Sequence, residues 1–258
     1  MKEIKRDIYW VGVIDWNKRY FHGRTFYTNT GTTYNAYLII DKKITLIDTV
    51  YHQFSAEFLD EIRKIIHIEK IDYLIANHVE MDHSSAIPEL IKLNPDIEIF
   101  GTAKCKAGFE LHRYGNAKFN VVKDGDVLSL GTRTLSFITT PMIHWPDSMF
   151  TYLNQENILF SNDAFGQHYA TLERYDDEVD GSILTNEALK YYANILWPFS
   201  TLIKNKLTDV DNIKLDIKII APSHGIIWRT NPEKIINLYI NWSQNSTGKK
   251  VVIVFETM

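Results

Sequence analysis

The sequence predicts a mixed α/β fold in which helices cover both faces of sheets. Short apolar, β-branched runs alternate with stretches of helical periodicity along the whole chain. Several strand neighbours are joined by tight links such as Asp41-Lys42-Lys43. The 258 residues are 45% hydrophobic and 13% aromatic, enough apolar content for a large core. With only 12 Gly and 7 Pro, the composition excludes collagenous, low-complexity and disordered chains.

Strands are predicted over 8–14, 36–40, 44–48 and 73–76, then over 97–100, 119–122, 135–139 and 149–153, and finally over 158–160 and 217–221. Each is a short run rich in β-branched and aromatic residues. Helical patterns occupy 55–66, 86–93 (after a Ser84-Ser85 cap), 104–114, 184–205 and 232–243. Residues 1–245 read as one domain. The polar stretch Gln244-Asn245-Ser246-Thr247-Gly248 reads as a linker, and Val251 to Phe255 as a buried strand opening a second domain, so that 246–258 belong to the next unit.

Charge and cysteine content narrow the function. Lys and Arg number 28 against 32 Asp and Glu, a net charge of −4, so no nucleic-acid or anionic-membrane partner is expected. Cys105 is the single cysteine and cannot form an internal disulfide. It reads as a small buried hydrophobe. No run approaches the ~18 uncharged apolar residues of a membrane span, and the N-terminus reads as a first strand and not a signal peptide. A cytoplasmic protein is expected. The acceptor patterns at Asn241 and Asn245 are chance-level without secretion.

The chemistry concentrates in Asn77-His78-Val79-Glu80-Met81-Asp82-His83-Ser84, directly after an apolar strand. His78 and Glu80 are two apart and point the same way in extended backbone. Asp82 and His83 turn with the chain into the next helix and can face a second ion. His144, Asp163 and His224 follow later apolar strands, where functional groups concentrate on loops held by a rigid scaffold. One histidine at a strand end is ordinarily a satisfied structural group. Four titratable groups within six residues differ, because burying them together without a cation is expensive. Seven ligands suit two metal ions, with three apiece, one bridging carboxylate and an open position on each ion. His52, His67 and His112 read as solvated. His168, five residues after Asp163, can lie near the site.

The spacing resembles the HxHxDH motif of the metallo-β-lactamase superfamily, with Glu80 standing where a zinc hydrolase has His. That replacement, together with Phe21-His22-Gly23, Gly31 to Tyr37, His144 to Ser148, Asn162 to His168 and Pro222 to Arg229, resembles the flavodiiron proteins over essentially all 258 residues. The closing Val251 to Met258 resembles the first strand of that family's flavodoxin domain, cut off before the FMN phosphate loop. The resemblance implies a metallo-β-lactamase-like αββα sandwich. It implies His78, Glu80 and His144 on one iron, Asp82, His83 and His224 on the other, and Asp163 bridging. It adds His22 and Tyr191 as candidates for hydrogen bonding a bound oxygen species.

The implied activity is reduction of O2 to water or of NO to N2O. Two irons store two electrons, enough for two NO, whereas O2 takes four. The remainder would come from FMN on the partner subunit of a head-to-tail homodimer in the full-length protein, fed by rubredoxin or a reduced deazaflavin. Two other readings compete: a dinuclear zinc hydrolase of the metallo-β-lactamase superfamily, and a diiron O2- or NO-binding sensor. The flavodoxin-like strand weighs against the sensor.

Overall fold

A computed structural model describes residues 2–21, 26–212 and 215–246, with backbone alone at 209–212. Among the described residues a seven-stranded sheet runs in the order Lys2–Lys5, Ile8–Trp10, Tyr37–Ile39, Thr45–Ile47, Tyr73–Ile75, Glu98–Gly101 and Lys118–Val121. Its first four strands pair antiparallel and its last four parallel. A five-stranded sheet follows in the order Val127–Ser129, Thr134–Thr139, Met149–Leu153, Ile158–Asn162 and Ile219–Pro222, parallel only in its last pair.

Side-chain parity sorts the core into three layers. Leu38, Leu46, Leu74 and Ile99 stand in register across the first sheet and meet Phe58, Ile62 and Leu90 of the outer helices Ser55–Arg63 and Ile87–Leu93. Their strand neighbours Ile39, Ile47 and Ile75 point the other way, as alternation in a strand requires, and meet Leu153, Ile158, Phe160 and Ile219 of the second sheet. On the far side of that sheet, Tyr152, Leu159 and Ile220 pack with Leu184, Ala188, Ile235 and Tyr239 of the helices Gly181–Tyr191 and Pro232–Ser243. Both faces of both sheets are covered, so strands such as Thr45–Ile47 and Ile158–Asn162 are buried at every residue. The layers are helix, sheet, sheet, helix: the αββα sandwich.

Most predicted elements appear within one or two residues of their expected limits, and three expectations are corrected. The run 8–14 is two strands, Ile8–Trp10 and Val13–Asp15. The chain leaves the first sheet at Val11-Gly12 to pair with Thr32–Tyr34. A side chain at Gly12 would meet the Tyr34 carbonyl at 2.3 Å, so only glycine allows the crossing. The pattern 184–205 is not one helix. A π-helical turn Tyr192–Leu196 and a 3-10 turn Trp197–Phe199 separate Gly181–Tyr191 from Ser200–Asn212, because Pro198 supplies no backbone N–H. Ser84 and Ser85 do not cap the helix Ile87–Leu93. Ser84 Oγ donates back to the Val79 or Glu80 carbonyl, and Ser85 Oγ accepts from the His52 amide.

Periodicity missed the charged edge strand Lys2–Lys5 and the short Val127–Ser129. His112 is half-buried and stacked on Tyr114, not solvated; His52 and His67 are exposed and Cys105 is buried. The strand expected at Val251 to Phe255 lies outside the described residues.

Phe160 fills the space between the sheets, its ring centroid 5.1 Å from that of Tyr37. Phe160→Ala is expected to cost about 3–5 kcal/mol, whereas Leu172→Ala, at a residue 75% exposed, changes stability by less than about 0.5 kcal/mol. Urea unfolding of the two variants checks this layer assignment.

Candidate metal centre

The two sheets end at one place. Tyr73–Ile75 leads to Asn77 and His78, Ile158–Asn162 to Asp163, and Ile219–Pro222 to His224, while His144 sits in the loop between Thr134–Thr139 and Met149–Leu153. Asn77 ties the sheets together. Its amide and side-chain N–H groups donate to the two oxygens of Asp48 at 2.8 and 3.0 Å, and its side-chain oxygen accepts from Thr151 Oγ1 at 2.6 Å across the sandwich. Burial pushes the Asp48 carboxyl up to about 6, against the pull of His83 and of these donors.

All seven sequence-predicted ligands meet there, in two groups sharing one carboxylate. Asp163 Oδ2 lies 3.2 Å from His144 Nε2 and 3.6 Å from His78 Nε2, and Glu80 Oε2 lies 3.3 Å from each of those nitrogens. Asp163 Oδ1 faces the other group, 3.0 Å from His83 Nε2 and 3.6 Å from His224 Nε2. Asp82 completes it, 3.5 Å from His83 and 3.3 Å from His224. Donor atoms about 2.1 Å from a common ion stand roughly 3.0 Å apart at a right angle and roughly 3.4 Å apart at the tetrahedral angle. The observed spacings match edges of coordination polyhedra.

The buried polar atoms make the same point. Asp82 Oδ1 and Asp163 Oδ2 have no hydrogen-bond partner, a costly state for carboxylate oxygens that a cation would relieve. Without a cation the cluster holds protons instead. Burial pulls His83 and His144 down, but the carboxylates of Asp82, Asp163 and Glu80 override it and raise both to about 9. His78 is raised well above its ordinary value by Asp147 and Glu80, again against burial. Burial opposes ionisation of Asp163 and Asp82, yet the histidines hold both well below the usual carboxylate range.

Outer groups orient the ligands. Asp147 Oδ2 sits 3.0 Å from His78 Nδ1 and accepts the Val79 amide at 2.7 Å, and the Thr33 carbonyl lies 2.6 Å from His224 Nδ1. Such contacts leave Nε2 of both rings for a metal. The Tyr191 hydroxyl donates to Asp163 Oδ1 at 3.0 Å, so its ring serves both the site and the core. His22 lies outside the described residues.

His168 lies in the site, its ring stacked on Phe21 at 3.8 Å and 4.7 Å from that of His224. Phe21, His168, Tyr191 and Ile195 wall the cavity over the ligands. Ile195 carried no sequence signal. It reaches the cavity from the π-helical turn that Pro198 helps create, and such turns recur at functional sites.

The family model for the ODP family beta lactamase matches residues 32–225, three quarters of the chain and every candidate ligand. The chain belongs to the ODP beta-lactamase family. It is 51% identical over 253 residues to the nitric oxide reductase of Moorella thermoacetica, covering 97% of this chain and 63% of that protein. Among solved structures it matches the rubredoxin:oxygen oxidoreductase of Desulfovibrio gigas with a TM-score of 0.93 at 38% identity, covering 96% of this chain and 62% of that one. The flavodiiron protein of Giardia intestinalis gives a TM-score of 0.90 at 39% identity, over 94% and 59%. The resemblance to flavodiiron proteins and the αββα fold expected from sequence are thus borne out. The chain spans about three fifths of the length of these relatives. No described helix is long and apolar enough to cross a membrane.

Metal must displace the protons held on His83 and His144, so uptake is expected to release protons and to strengthen by up to about tenfold per proton per pH unit between roughly 6.5 and 9. The metal-free protein should behave oppositely. The folded-state pKa of these histidines is raised, so their stabilisation is complete below about 6.5 and lost as pH rises toward 9. Metal titration and urea midpoints of chelator-treated protein at pH 6.5 and 9 check both signs; equal midpoints would refute the pairing.

Proposed function

We propose that this chain is the diiron domain of an enzyme that reduces NO to N2O or O2 to water. The carrying observation is that the two oxygens of Asp163 face two separate ligand groups, His78/Glu80/His144 and Asp82/His83/His224. We assign the first group to one iron and the second to the other, with Asp163 bridging. The donors are four imidazoles and three carboxylates with no thiolate, a set suited to iron; Cys105 lies elsewhere, its Sγ 3.6 Å from the Ala76 carbonyl. Two such ions, held by these residues and each able to pass between ferrous and ferric, would supply the two electrons that coupling two NO requires and half of the four that O2 requires.

The protein's own groups set access and polarity. Phe21 and Ile195 wall the cavity with apolar surface beside Glu80, Asp82 and His144. Tyr191 presents its hydroxyl at Asp163 and can hold a proton next to the substrate position. His22 is proposed for a similar role from the resemblance alone.

Electrons would come through FMN in a flavodoxin domain. Residues 1–245 form the metal domain in this reading, and 246–258 the linker and first strand of the flavin domain. The greater length of the relatives and the apolar run Val251 to Phe255 support it. Rubredoxin as donor is supported by the name of the Desulfovibrio protein. A head-to-tail homodimer and a cytoplasmic location belong to the same proposal.

Anaerobic reconstitution should give two iron per chain, and Asp163→Asn about one or fewer, because a neutral amide bridges poorly. Two tightly held ions in that variant would sink the bridging role. Tyr191→Phe keeps all seven ligands and should retain both ions while slowing NO consumption about tenfold or more. The single-turnover rate of N2O formation, with parallel iron analysis, checks the tyrosine; an unchanged rate would show that it serves only the core.

A further inference from the structure

We infer that Gln167 is a positioning residue for one of the two metal positions, because its carboxamide staples the loop carrying Asp163 to the loop carrying His224. This rests on the two-metal reading above. The two loops leave neighbouring parallel strands, Ile158–Asn162 and Ile219–Pro222, whose last ladder bond runs from the Ser223 amide to the Asn162 carbonyl at 2.8 Å, one residue short of His224 and Asp163; beyond it the ladder no longer holds the loops in register. Gln167 takes over that task. Its Oε1 accepts the Ile226 amide at 2.7 Å, and its Nε2 lies 3.3 Å from the Ile226 carbonyl and 3.0 Å from the Phe165 carbonyl. The side chain thus stands in for a peptide group, exchanging with Ile226 the pair of hydrogen bonds that a neighbouring strand would exchange. The Gln167 backbone amide also donates to the His224 carbonyl at 3.3 Å.

The fit leaves no slack. Gln167 is fully buried, and a Cβ at Gly225 would lie 2.1 Å from Gln167 Oε1, so that glycine is required by both its positive φ of 76° and the staple. His224 is held from its other side by Asn35, whose Nδ2 donates to the carbonyls of Pro222 and Gly225 at 2.8 and 3.0 Å. Asn35 fixes the His224 loop to the first sheet. Gln167 fixes the same loop relative to Asp163. The ligand pair whose spacing depends on the staple is therefore Asp163 and His224, which meet only in the Asp82/His83/His224 group. His78, Glu80 and His144 are held by other elements.

The test is anaerobic titration of the full chain with Fe(II) alone, with iron counted after desalting. Wild type should hold two ions. Gln167→Met, which keeps size but loses all three hydrogen bonds, should hold one, the second weakened about 10–100-fold. Gln167→Glu should give the same loss, because a carboxylate still accepts from Ile226 but cannot donate to the two carbonyls. His224→Ala should lose the same ion, and adding Gln167→Met to it should cost nothing more, since the glutamine acts through that ligand. A general loss of fold would not spare one ion or give this non-additivity. Two equally tight ions in both Gln167 variants would overturn the inference, as would unfolding of both, which would make the amide a prop of the fold. Absence of iron binding in wild type would instead overturn the two-metal reading.

Discussion

The structure is organised around a crowding problem. Three carboxylates and four imidazoles converge at the meeting point of two sheets, five of them buried and Glu80 and Asp82 half-buried. Left as bare charges they would cost far more than the few kcal/mol by which a domain of this size is stable. The arrangement is tolerable because opposite charges alternate: each carboxylate lies within 3.6 Å of at least two imidazole nitrogens. That alternation holds whether the imidazoles carry protons or face cations.

Holding the groups in this order requires elements distant in sequence, and the inter-sheet core supplies the frame. Ile39, Ile47, Ile75, Phe160 and Ile219 fix the separation of the sheets, and Asn77 and Asn35 translate it into positions for ligand loops. Both asparagines are fully buried and bond across the sandwich. Each is worth more to the site than to the core, since an apolar residue would fill the same space without specifying where His78 or His224 points.

Much of this was legible in the sequence, for a physical reason. His78, Glu80, Asp82 and His83 are local, so two-residue alternation and a turn into a helix are enough to divide them between two positions. His144, Asp163 and His224 were recognisable because each follows an apolar run that a covered sheet must bury. What stayed hidden is whatever depends on neighbours far along the chain. Asp147, Asn35 and Gln167 are ordinary loop or strand residues until their partners at 59 to 190 residues' separation are in place. The break at Pro198 had a local signal that helical periodicity overrode. The turn it leaves behind brings Ile195 over the ligands, a consequence that no pattern within the helix announces.

The two ligand groups reach the centre by different routes, and this gives them different physical characters. His78, Glu80 and His144 draw on one strand end and one loop that Asp147 joins directly, accepting from Val79 and pairing with His78. The other group depends on the relative placement of Asp163 and His224, set by the end of the sheet ladder, where the Ser223 amide donates to the Asn162 carbonyl, and by hydrogen bonds between the irregular segments beyond it. Irregular segments open more readily than ladders, because fewer hydrogen bonds must break together. If the two groups hold two ions as proposed, the position bounded by Asp82, His83 and His224 is then the one whose occupancy would respond most to strain in the surrounding loops, which would place control of the dinuclear state in the link between the Asp163 and His224 loops.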